Sequence, residues 1–463
     1  MDKFDLLETR KAKLFEASKD IRKKIDELID EAGFVELDRY SCFSKNEFYD
    51  EQALGEGVIT GYATLNDVPV YVVAQNAEVL NGGLSLGAAN KICKCLDKAL
   101  VSDSPVIYLL SSLGIQAGEG LKALEGVARV LRKMQELKGE IPQIAVAVGD
   151  VLGSSALFAA SCDYTYMLPE GCVSYASPFV LSAKSGKSVN KAKIGGAESA
   201  AENGLTTFAV QNIAEVKDSV SNLLNILPNY GGIYLETDDD LNRTAPNLNE
   251  KACAECLINA VFDKDYAIEL GKGFAPEIVT VIGRIGGYSS AAIIFNGENG
   301  VELNSDNIDK IQNFIYYASD NGLPVVTFVN TLGIEKNLET ANSTVMKKVS
   351  DLVYALTAFH DTPKINVIYG KAIGLGYTLF ASREMGNEYS YAFANARISV
   401  FDSEVGAQIE FAEKGGDLEK IKANYEEQEQ DAMNAAQGGF IDNVIEPACV
   451  RQYLIAALQS LVR

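Results

Sequence analysis

Short runs of aliphatic and β-branched residues alternate along the chain with stretches whose apolar positions recur at helical spacing. Residues 70–74, 106–110 and 144–148 are almost unbroken Val/Ile/Leu runs, the pattern of strands covered on both faces. Residues 118–137, 306–319 and 250–261 carry the three-to-four spacing of helices, and residues 1–30 are charge-dense and amphipathic. Alternation of this kind predicts βαβ units built on largely parallel sheets, an α/β fold. In such sheets ligands bind beyond the carboxyl ends of the strands.

The pattern occurs twice. Ser104-Pro-Val-Ile-Tyr-Leu-Leu-Ser-Ser-Leu-Gly114 resembles Leu323-Pro-Val-Val-Thr-Phe-Val-Asn-Thr-Leu-Gly333, with Pro105 and Pro324 each nine residues before the glycine. Ile141-Pro-Gln-Ile-Ala-Val-Ala-Val-Gly-Asp-Val-Leu-Gly153 resembles Thr362-Pro-Lys-Ile-Asn-Val-Ile-Tyr-Gly-Lys-Ala-Ile-Gly374, with Pro142 and Pro363 each eleven residues before the last glycine. Tyr164-Thr-Tyr166 pairs with Tyr389-Ser-Tyr391, and Val173 with Ile398. Matching prolines, glycines and intervals at an offset that stays near 220 residues imply a duplicated domain of about 200 residues, an ordinary domain size. The polar stretch 237–249 reads as the linker, giving domains over 1–240 and 247–463.

Composition narrows the function. Hydrophobic residues make up 47% and charged residues 22%, a globular balance, and the length allows two or three domains. A net charge of −22 argues against general nucleic-acid binding and against docking on an anionic membrane. It leaves room for a phosphate-bearing ligand at a local basic patch, and Lys184, Lys187, Lys191 and Lys193 form one. The plainer reading of any one of these lysines is a solvated loop. No run is apolar enough to span a bilayer, and no secretory leader opens the chain. Eight scattered cysteines show no disulfide framework, which fits a reducing cytoplasm.

The missing residues limit the chemistry further. His360 is the single histidine and reads as a helix-end residue rather than a catalytic one. Gly186-Lys187-Ser188 lacks the first glycine of a P-loop, and Gly374-Leu-Gly376 lacks the third glycine of a dinucleotide fingerprint. Cys253-Ala-Glu-Cys256 is a lone pair on an expected helix and makes a poor zinc site, so no metal is expected. Catalysis must then rest on backbone donors and on the substrate or cofactor. A glycine between a strand and a helix permits positive φ and close ligand approach, and the helix start leaves N–H groups free. Two such groups can hold a thioester oxygen as it becomes an enolate, an effect commonly worth several kcal/mol.

Several stretches resemble the carboxyltransferase family of biotin-dependent acyl-CoA carboxylases, the propionyl-CoA carboxylase beta subunits and related decarboxylase subunits, over about residues 25–440. They are Gly57-Val-Ile-Thr-Gly-Tyr-Ala-Thr-Leu-Asn-Asp-Val-Pro-Val-Tyr-Val-Val-Ala-Gln75, Gly82-Gly83, Lys91-Ile-Cys93, Leu96-Asp97-Lys98-Ala99 and Gly195-Gly196-Ala197. Pro324-Val-Val-Thr-Phe-Val329, Lys371-Ala372 and Tyr391-Ala392-Phe393 continue the match. The resemblance implies two tandem crotonase (ClpP/crotonase-like) ββα-superhelix domains, acyl-CoA on the first and carboxybiotin on the second. It implies a trimer of dimers, a hexamer, with each active site between the N-domain of one chain and the C-domain of another. Biotin would arrive on a separate carrier protein, charged by a biotin carboxylase chain, since no Ala-Met-Lys-Met motif occurs here. Gly153 and Ser154 fall where the family's N-domain donors lie, and Gly374, Leu375 and Gly376 at the C-domain equivalent. Gly114, Gly333 and Ile334 lie in the neighbouring ligand-binding loops, and Lys184 and Lys187 are the expected phosphate contacts.

The departures cluster at these loops. Ser111-Ser-Leu-Gly-Ile-Gln116 stands for the family's Asp-Ser-Gly-Gly-Ala-Arg, without its arginine. Gly153-Ser-Ser155 and Gly374-Leu-Gly376 each stand for Gly-Gly-Ala, Asn330-Thr-Leu-Gly-Ile334 for Asp-x-Pro-Gly-Phe, and Phe401-Asp-Ser-Glu-Val-Gly406 for a Gly-rich turn. Leu113 and Leu375 would stand in a ligand path. Three functions fit: an active carboxyltransferase, a non-catalytic paralogue in a mixed assembly, and a decarboxylase subunit running the transfer in reverse.

Overall fold

A computed structural model describes residues 3–462 except 32, 43–44, 47–50, 53, 359–361 and 429–430, so His360 lies outside the described residues. The chain divides into two compact units, residues 1–221 and 222–463.

In the first unit, β1 (Val35–Leu37), β2 (Val58–Leu65) and β3 (Val68–Gln75) pair antiparallel. The turn between β2 and β3 is Asn66-Asp67, both at positive φ, the tight hairpin geometry that matches strand twist. Helix α1 (Leu86–Val101) leads to β4 (Val106–Ser112), and α2 (Leu121–Leu137) to β5 (Gln143–Leu152). Helix α3 (Ser154–Ser161), β6 (Tyr164–Met167), β7 (Cys172–Ser174), β8 (Phe208–Ala209) and α4 (Ile213–Ile226), which spans the division, follow. The sheet order is β1-β2-β3-β4-β5-β6-β8, with β7 also on β5, and every pairing from β3 onward is parallel.

The second unit opens with α5 (Ala254–Val261) and repeats the plan. Its elements are β9 (Ala267–Leu270), β10 (Ile278–Ile285), β11 (Tyr288–Phe295), β12 (Val301–Leu303), α6 (Ser305–Asp320), β13 (Val325–Ile334), α7 (Val345–Ala358), β14 (Lys364–Ile373), α8 (Leu375–Phe380), β15 (Tyr389–Phe393), β16 (Arg397–Ser399), α9 (Ser403–Lys414), β17 (Asn443–Ile445) and α10 (Val450–Leu461). The order β9-β10-β11-β13-β14-β15-β17, with β16 on β14, repeats that of the first sheet, and β12 on β13 is an added strand. Each sheet is buried under its helices, as the near-continuous apolar strands require.

Three polar devices recur in both units. A carboxylate receives both amides of the hairpin turn: Asp30 takes Asn66 and Asp67 N–H at 3.0 and 3.1 Å, and Asp263 takes Gly286 and Gly287 N–H at 2.8 and 2.7 Å. A cation from a later helix pairs each one, Lys217 at 3.0 Å and the fully buried Arg451 at 2.6 Å. A buried lysine then gathers the carbonyls of the loop before the hairpin. Lys91 Nζ donates to Gly55 and Val58 O at 3.2 and 2.6 Å, and Lys310 Nζ to Gly271 and Phe274 O at 3.0 and 2.6 Å. Burial pulls both ammonium groups down to about 8, against the pull of neighbouring carboxylates.

Local boundaries differ from the sequence pattern for visible reasons. The helix expected over 118–137 begins at Leu121 because Gly120 sits at φ +56°. The helix expected from 250 begins at Ala254 because Cys253 is extended and caps it. The polar stretch 237–249 is fastened to the second unit: Asp239 pairs Arg243 at 3.0 Å and Arg451 at 3.5 Å, and Ala245 N–H donates to Ala448 O. Cys253 and Cys256 are bonded to each other, a single local bond three residues apart that the sequence pattern did not show. Among the described residues no helix is long and apolar enough to cross a membrane, and no side-chain cluster is suited to a metal ion.

Desolvation alone would raise the Asp30 carboxyl, but the hydrogen bonds from Asp67, Lys217 and Asn66 outweigh it and hold its pKa well below the usual 3.8. The unfolded chain therefore binds that proton first as pH falls. Asp30 stabilises the fold fully above about pH 4 and less and less below it. Replacing Asp30 with Ala is expected to cost about 2 kcal/mol near neutrality and to flatten the acid limb of stability against pH. Urea denaturation across the acid range checks this, and an unchanged acid limb refutes it.

Candidate active site

Each unit brings two of its strand ends together. In the first, β4 ends at Ser112, and Gly114 takes φ +118°. Gly114 N–H donates to Ser112 Oγ at 3.0 Å, so this amide is occupied within its own turn. Leu84 N–H donates to Gly114 O and Gln116 N–H to Leu84 O, both at 2.9 Å. Of the three amides here, only that of Ile115 is left outside these pairings.

The neighbouring strand, β5, ends at Gly153, whose φ +59° and ψ −123° are accessible essentially to glycine alone. Gly153 N–H is held by Ser174 O at 3.1 Å, and the first amide to return to the turn is that of Leu157, to Gly153 O at 3.4 Å. The amides of Ser154, Ser155 and Ala156 thus open α3 without an intrahelical partner. The two turns abut: a Cβ placed on Gly153 would lie 3.7 Å from Gly114 Cα. Below them Gln75, 2% exposed, donates from Nε2 to Ser155 Oγ at 2.9 Å. Gln75 Oε1 and Ser154 Oγ are buried with no hydrogen-bond partner among the described residues.

The second unit repeats this arrangement. Gly333, at φ +85°, donates its N–H to Thr331 Oγ1 at 3.0 Å, and Glu335 N–H donates to Leu303 O at 3.0 Å. The intervening Ile334 amide faces the other side of the strand. Gly374, at φ +55° and ψ −122°, is held by Ser399 O at 2.9 Å, and Thr378 N–H returns to Gly374 O at 3.2 Å. A Cβ on Gly333 would lie 3.6 Å from Gly376 N and 3.8 Å from Leu375 N. Any side chain there would fill the space in front of those amides. A cavity of about 140 Å³ opens at this point, lined by Gly333, Ile334, Lys336, Gly374, Leu375 and Phe401 among others. Its walls are largely apolar, with Leu332, Ile373, Val400 and Val405 completing the lining beside Asp402.

The structure therefore brings Gly114 to Gly153 and Ser154 in one unit, and Gly333 and Ile334 to Gly374, Leu375 and Gly376 in the other. It makes Gly114 and Gly333 spacers whose own amides are tied up, and leaves Ile115 and Ile334 as the outward donors. Ile115 escaped the sequence pattern although its repeat partner Ile334 did not; the aligned Ser-Leu-Gly-Ile and Thr-Leu-Gly-Ile loops carried the signal. Leu375 is 42% exposed on the cavity wall and Leu113 is exposed beside the Gly114 turn. Lys184 and Lys187 are exposed on and just after the helix Pro178–Ser185, and among the described residues neither side chain is bonded to these turns. Lys191 pairs with Asp150, so part of the basic patch is neutralised. Chemically, each unit offers two outward amides on either side of a glycine-lined gap. That arrangement stabilises an oxygen gaining negative charge.

Residues 15–463 match the family described as the carboxyl transferase domain. The propionyl-CoA carboxylase beta chain of Cereibacter sphaeroides is 29% identical over 95% of this chain and 90% of its own length. The methylmalonyl-CoA decarboxylase subunit alpha of Veillonella parvula is 29% identical over 95% of this chain and 89% of its own. Among solved structures, transcarboxylase 12S, a hexamer solved with methylmalonyl-coenzyme A and methylmalonic acid bound, matches with a TM-score of 0.89. It covers 98% of this chain and 94% of that one at 22% identity, a likeness of fold.

The Thr331 hydroxyl both receives Gly333 N–H and donates to Val301 O at 2.6 Å in a fully buried position. Thr331→Val preserves the shape and leaves both groups unpaired, so it is expected to cost about 2 kcal/mol, while Thr331→Ser keeps most of the stability. Urea denaturation of both variants checks this; equal stability of the Val variant and the parent refutes it.

Proposed function

The chain belongs to the carboxyl transferase family, and from that premise we propose that it is the carboxyltransferase component of a biotin-dependent acyl-CoA carboxylase. The single observation that carries the proposal is the duplicated pair of abutting glycine turns, with outward amides at Ile115 and Ser154 in one unit and at Ile334 and Leu375 in the other. A reaction between two substrates that both gain negative charge on a carbonyl oxygen needs two such donor pairs. An acyl-CoA thioester becoming an enolate is one, and a biotin urea releasing its carboxyl group is the other.

In this proposal residues 1–240 form the acyl-CoA domain and residues 247–463 the biotin domain, each active site being completed by two chains of a hexameric trimer of dimers. The apolar walls of the second unit's cavity, Ile373, Val400 and Phe401 among them, suit the flat urea ring of biotin, and its amides suit the urea oxygen. Carboxybiotin, delivered by a separate carrier chain and charged by a biotin carboxylase chain, supplies CO2 and the base for the α-proton. Ile115 and Ser154 N–H hold the thioester oxygen as the α-proton leaves, and the α-carbon then takes up CO2. Lys184 and Lys187 stay available as exposed cations for the coenzyme A phosphates. No histidine is needed at any step.

The reverse transfer, from a carboxylated acyl-CoA to biotin, uses the same donors, and the 29% identity to a methylmalonyl-CoA decarboxylase subunit favours giving it equal weight in the test. A non-catalytic paralogue, which the half-exposed Leu375 on the cavity wall would suit, predicts coenzyme A binding without turnover.

Purified protein incubated with free biotin and a panel of malonyl-type CoA thioesters is expected to release CO2 only when both are present. Gly153→Val and Gly374→Val insert side chains at the two gaps, at a strain of about 1–3 kcal/mol each. Each is expected to lower turnover at least about 100-fold while far-UV circular dichroism stays native-like. Unchanged turnover in both variants refutes the site; coenzyme A binding without turnover in the parent points to the paralogue; no binding removes the enzymatic reading.

A further inference from the structure

Cys253 and Cys256 lie outside both glycine turns, and the proposed transfer makes no use of them. They flank the first turn of α5: Cys253 is its extended cap residue, at φ −136° and ψ 164°, and Cys256 is the third residue of the helix. Their Cα atoms are 5.0 Å apart, inside the range a disulfide spans without moving the backbone, and the two sulfurs are bonded. Cys253 Sγ also accepts Cys256 N–H at 3.2 Å, the bond a Ser or Asp oxygen usually provides at this position.

Neither loop closure nor packing makes this pair a structural staple. A disulfide stabilises mainly by removing freedom from the unfolded chain, and the effect shrinks with the loop it closes; two intervening residues leave little freedom to remove. The helix is anchored independently by Ala254, Leu257, Ala260 and Val261, which are buried in the second unit's core beside Leu454, Ala457 and Leu458. Opening the bond would therefore loosen at most one turn and leave the unit folded.

The surroundings also favour exchange. Both cysteines are half-buried, so an external thiol can reach them. Cys93, Cys95 and Cys172 are buried and Cys162 is enclosed, and burial pushes all four thiols up, Cys95 to about 12. These do not supply a thiolate at neutral pH. A sulfur at the cap of a helix is in the opposite situation, because the free amides and the helix dipole favour its charged form.

We propose that Cys253 and Cys256 form a redox-active pair that exchanges with an external dithiol. One thiolate of the dithiol attacks Cys256 Sγ and breaks the internal S–S bond. Cys253 leaves as a thiolate stabilised by Cys256 N–H. The second thiol of the dithiol then resolves the mixed disulfide and frees Cys256. Two electrons and two protons pass from the dithiol, which becomes a cyclic disulfide, to the two cysteines; reoxidation runs the same steps backwards.

The test is a redox titration of the full chain in reduced and oxidised dithiothreitol mixtures, quenched in acid, alkylated and read by peptide mass spectrometry. The peptide holding Cys253 and Cys256 is expected to pass reversibly from no label to two labels without urea, while the exposed Cys42 is labelled throughout. Cys253→Ser keeps a cap oxygen and should leave Cys256 labelled at every ratio, with the native circular dichroism of the parent. Should that variant fail to fold, Cys256→Ala should leave Cys253 labelled in the same way. Label on both cysteines before any reductant, reduction only after unfolding, or failure to reclose on oxidation each overturns the proposal.

Discussion

The amides that open a helix have no carbonyls one turn behind them, and in both units this shortage occurs at the end of a buried parallel strand. The chain cannot satisfy them internally, because the strand arrives in a glycine conformation, φ near +55° to +59°, that turns the helix start toward the next strand's end. A second glycine on that neighbouring strand then has to keep the gap clear. The rest of the site follows from this constraint. Ser112 and Thr331 tie up the amides of the spacer glycines, Ser174 and Ser399 carbonyls hold the helix-start glycines, and the donors left over point into the gap.

The same need to find partners for backbone groups accounts for how closely the two frameworks agree. A hairpin turn whose two amides converge needs one acceptor, and a carboxylate in that place needs a cation. Asp30 with Lys217 and Asp263 with Arg451 are the same solution at two levels of burial. Removing one member of the deeper pair would strand a charge inside the unit, a far larger penalty than the net worth of the pair. Lys91 and Lys310 do the equivalent work for loop carbonyls. Each device requires the others to hold the hairpin and the first parallel strand in register, and that register places the glycine turns side by side.

Much of this was legible in the chain. The strand cores at 70–74, 106–110 and 144–148 lie inside β3, β4 and β5, because continuous apolar runs leave little choice for a buried strand. The helix read over 306–319 lies within Ser305–Asp320, where Asn304 supplies a capping box. The repeat also marked Gly114, Gly153, Gly333 and Gly374, since only a backbone requirement keeps glycine at the same interval twice. What the pattern did not carry were hydrogen-bond directions. Which amide of Leu-Gly-Ile faces the gap depends on strand alternation, and the Ser112 and Thr331 hydroxyls resemble any polar strand end. The Cys253–Cys256 bond escaped because the helix was read as starting at 250, which puts both residues inside it; an extended Cys253 changes that geometry. The charge pattern of Lys184 and Lys187 showed cations, and cations on an exposed helix end need have no fixed partner.

Where the two units differ is as informative as where they agree. Gln75 and Phe295 both end the second strand of the hairpin, yet one carries an amide and the other a ring. In the first unit the amide is spent on Ser155, and Gln75 Oε1 and Ser154 Oγ remain buried without partners among the described residues, a cost that a ligand or water bearing hydrogen-bonding groups would recover. In the second unit Phe295 meets the edge of Phe380, and Gly376 stands where the first unit has Ser155, so no hydroxyl takes that place in the helix start. Recognition there falls to shape and to the outward amides. Two units with one turn geometry and different side chains behind it, Ser154 and Ser155 in one and Leu375 and Gly376 in the other, present the same backbone donors in chemically different surroundings, which duplication followed by a few substitutions is sufficient to produce.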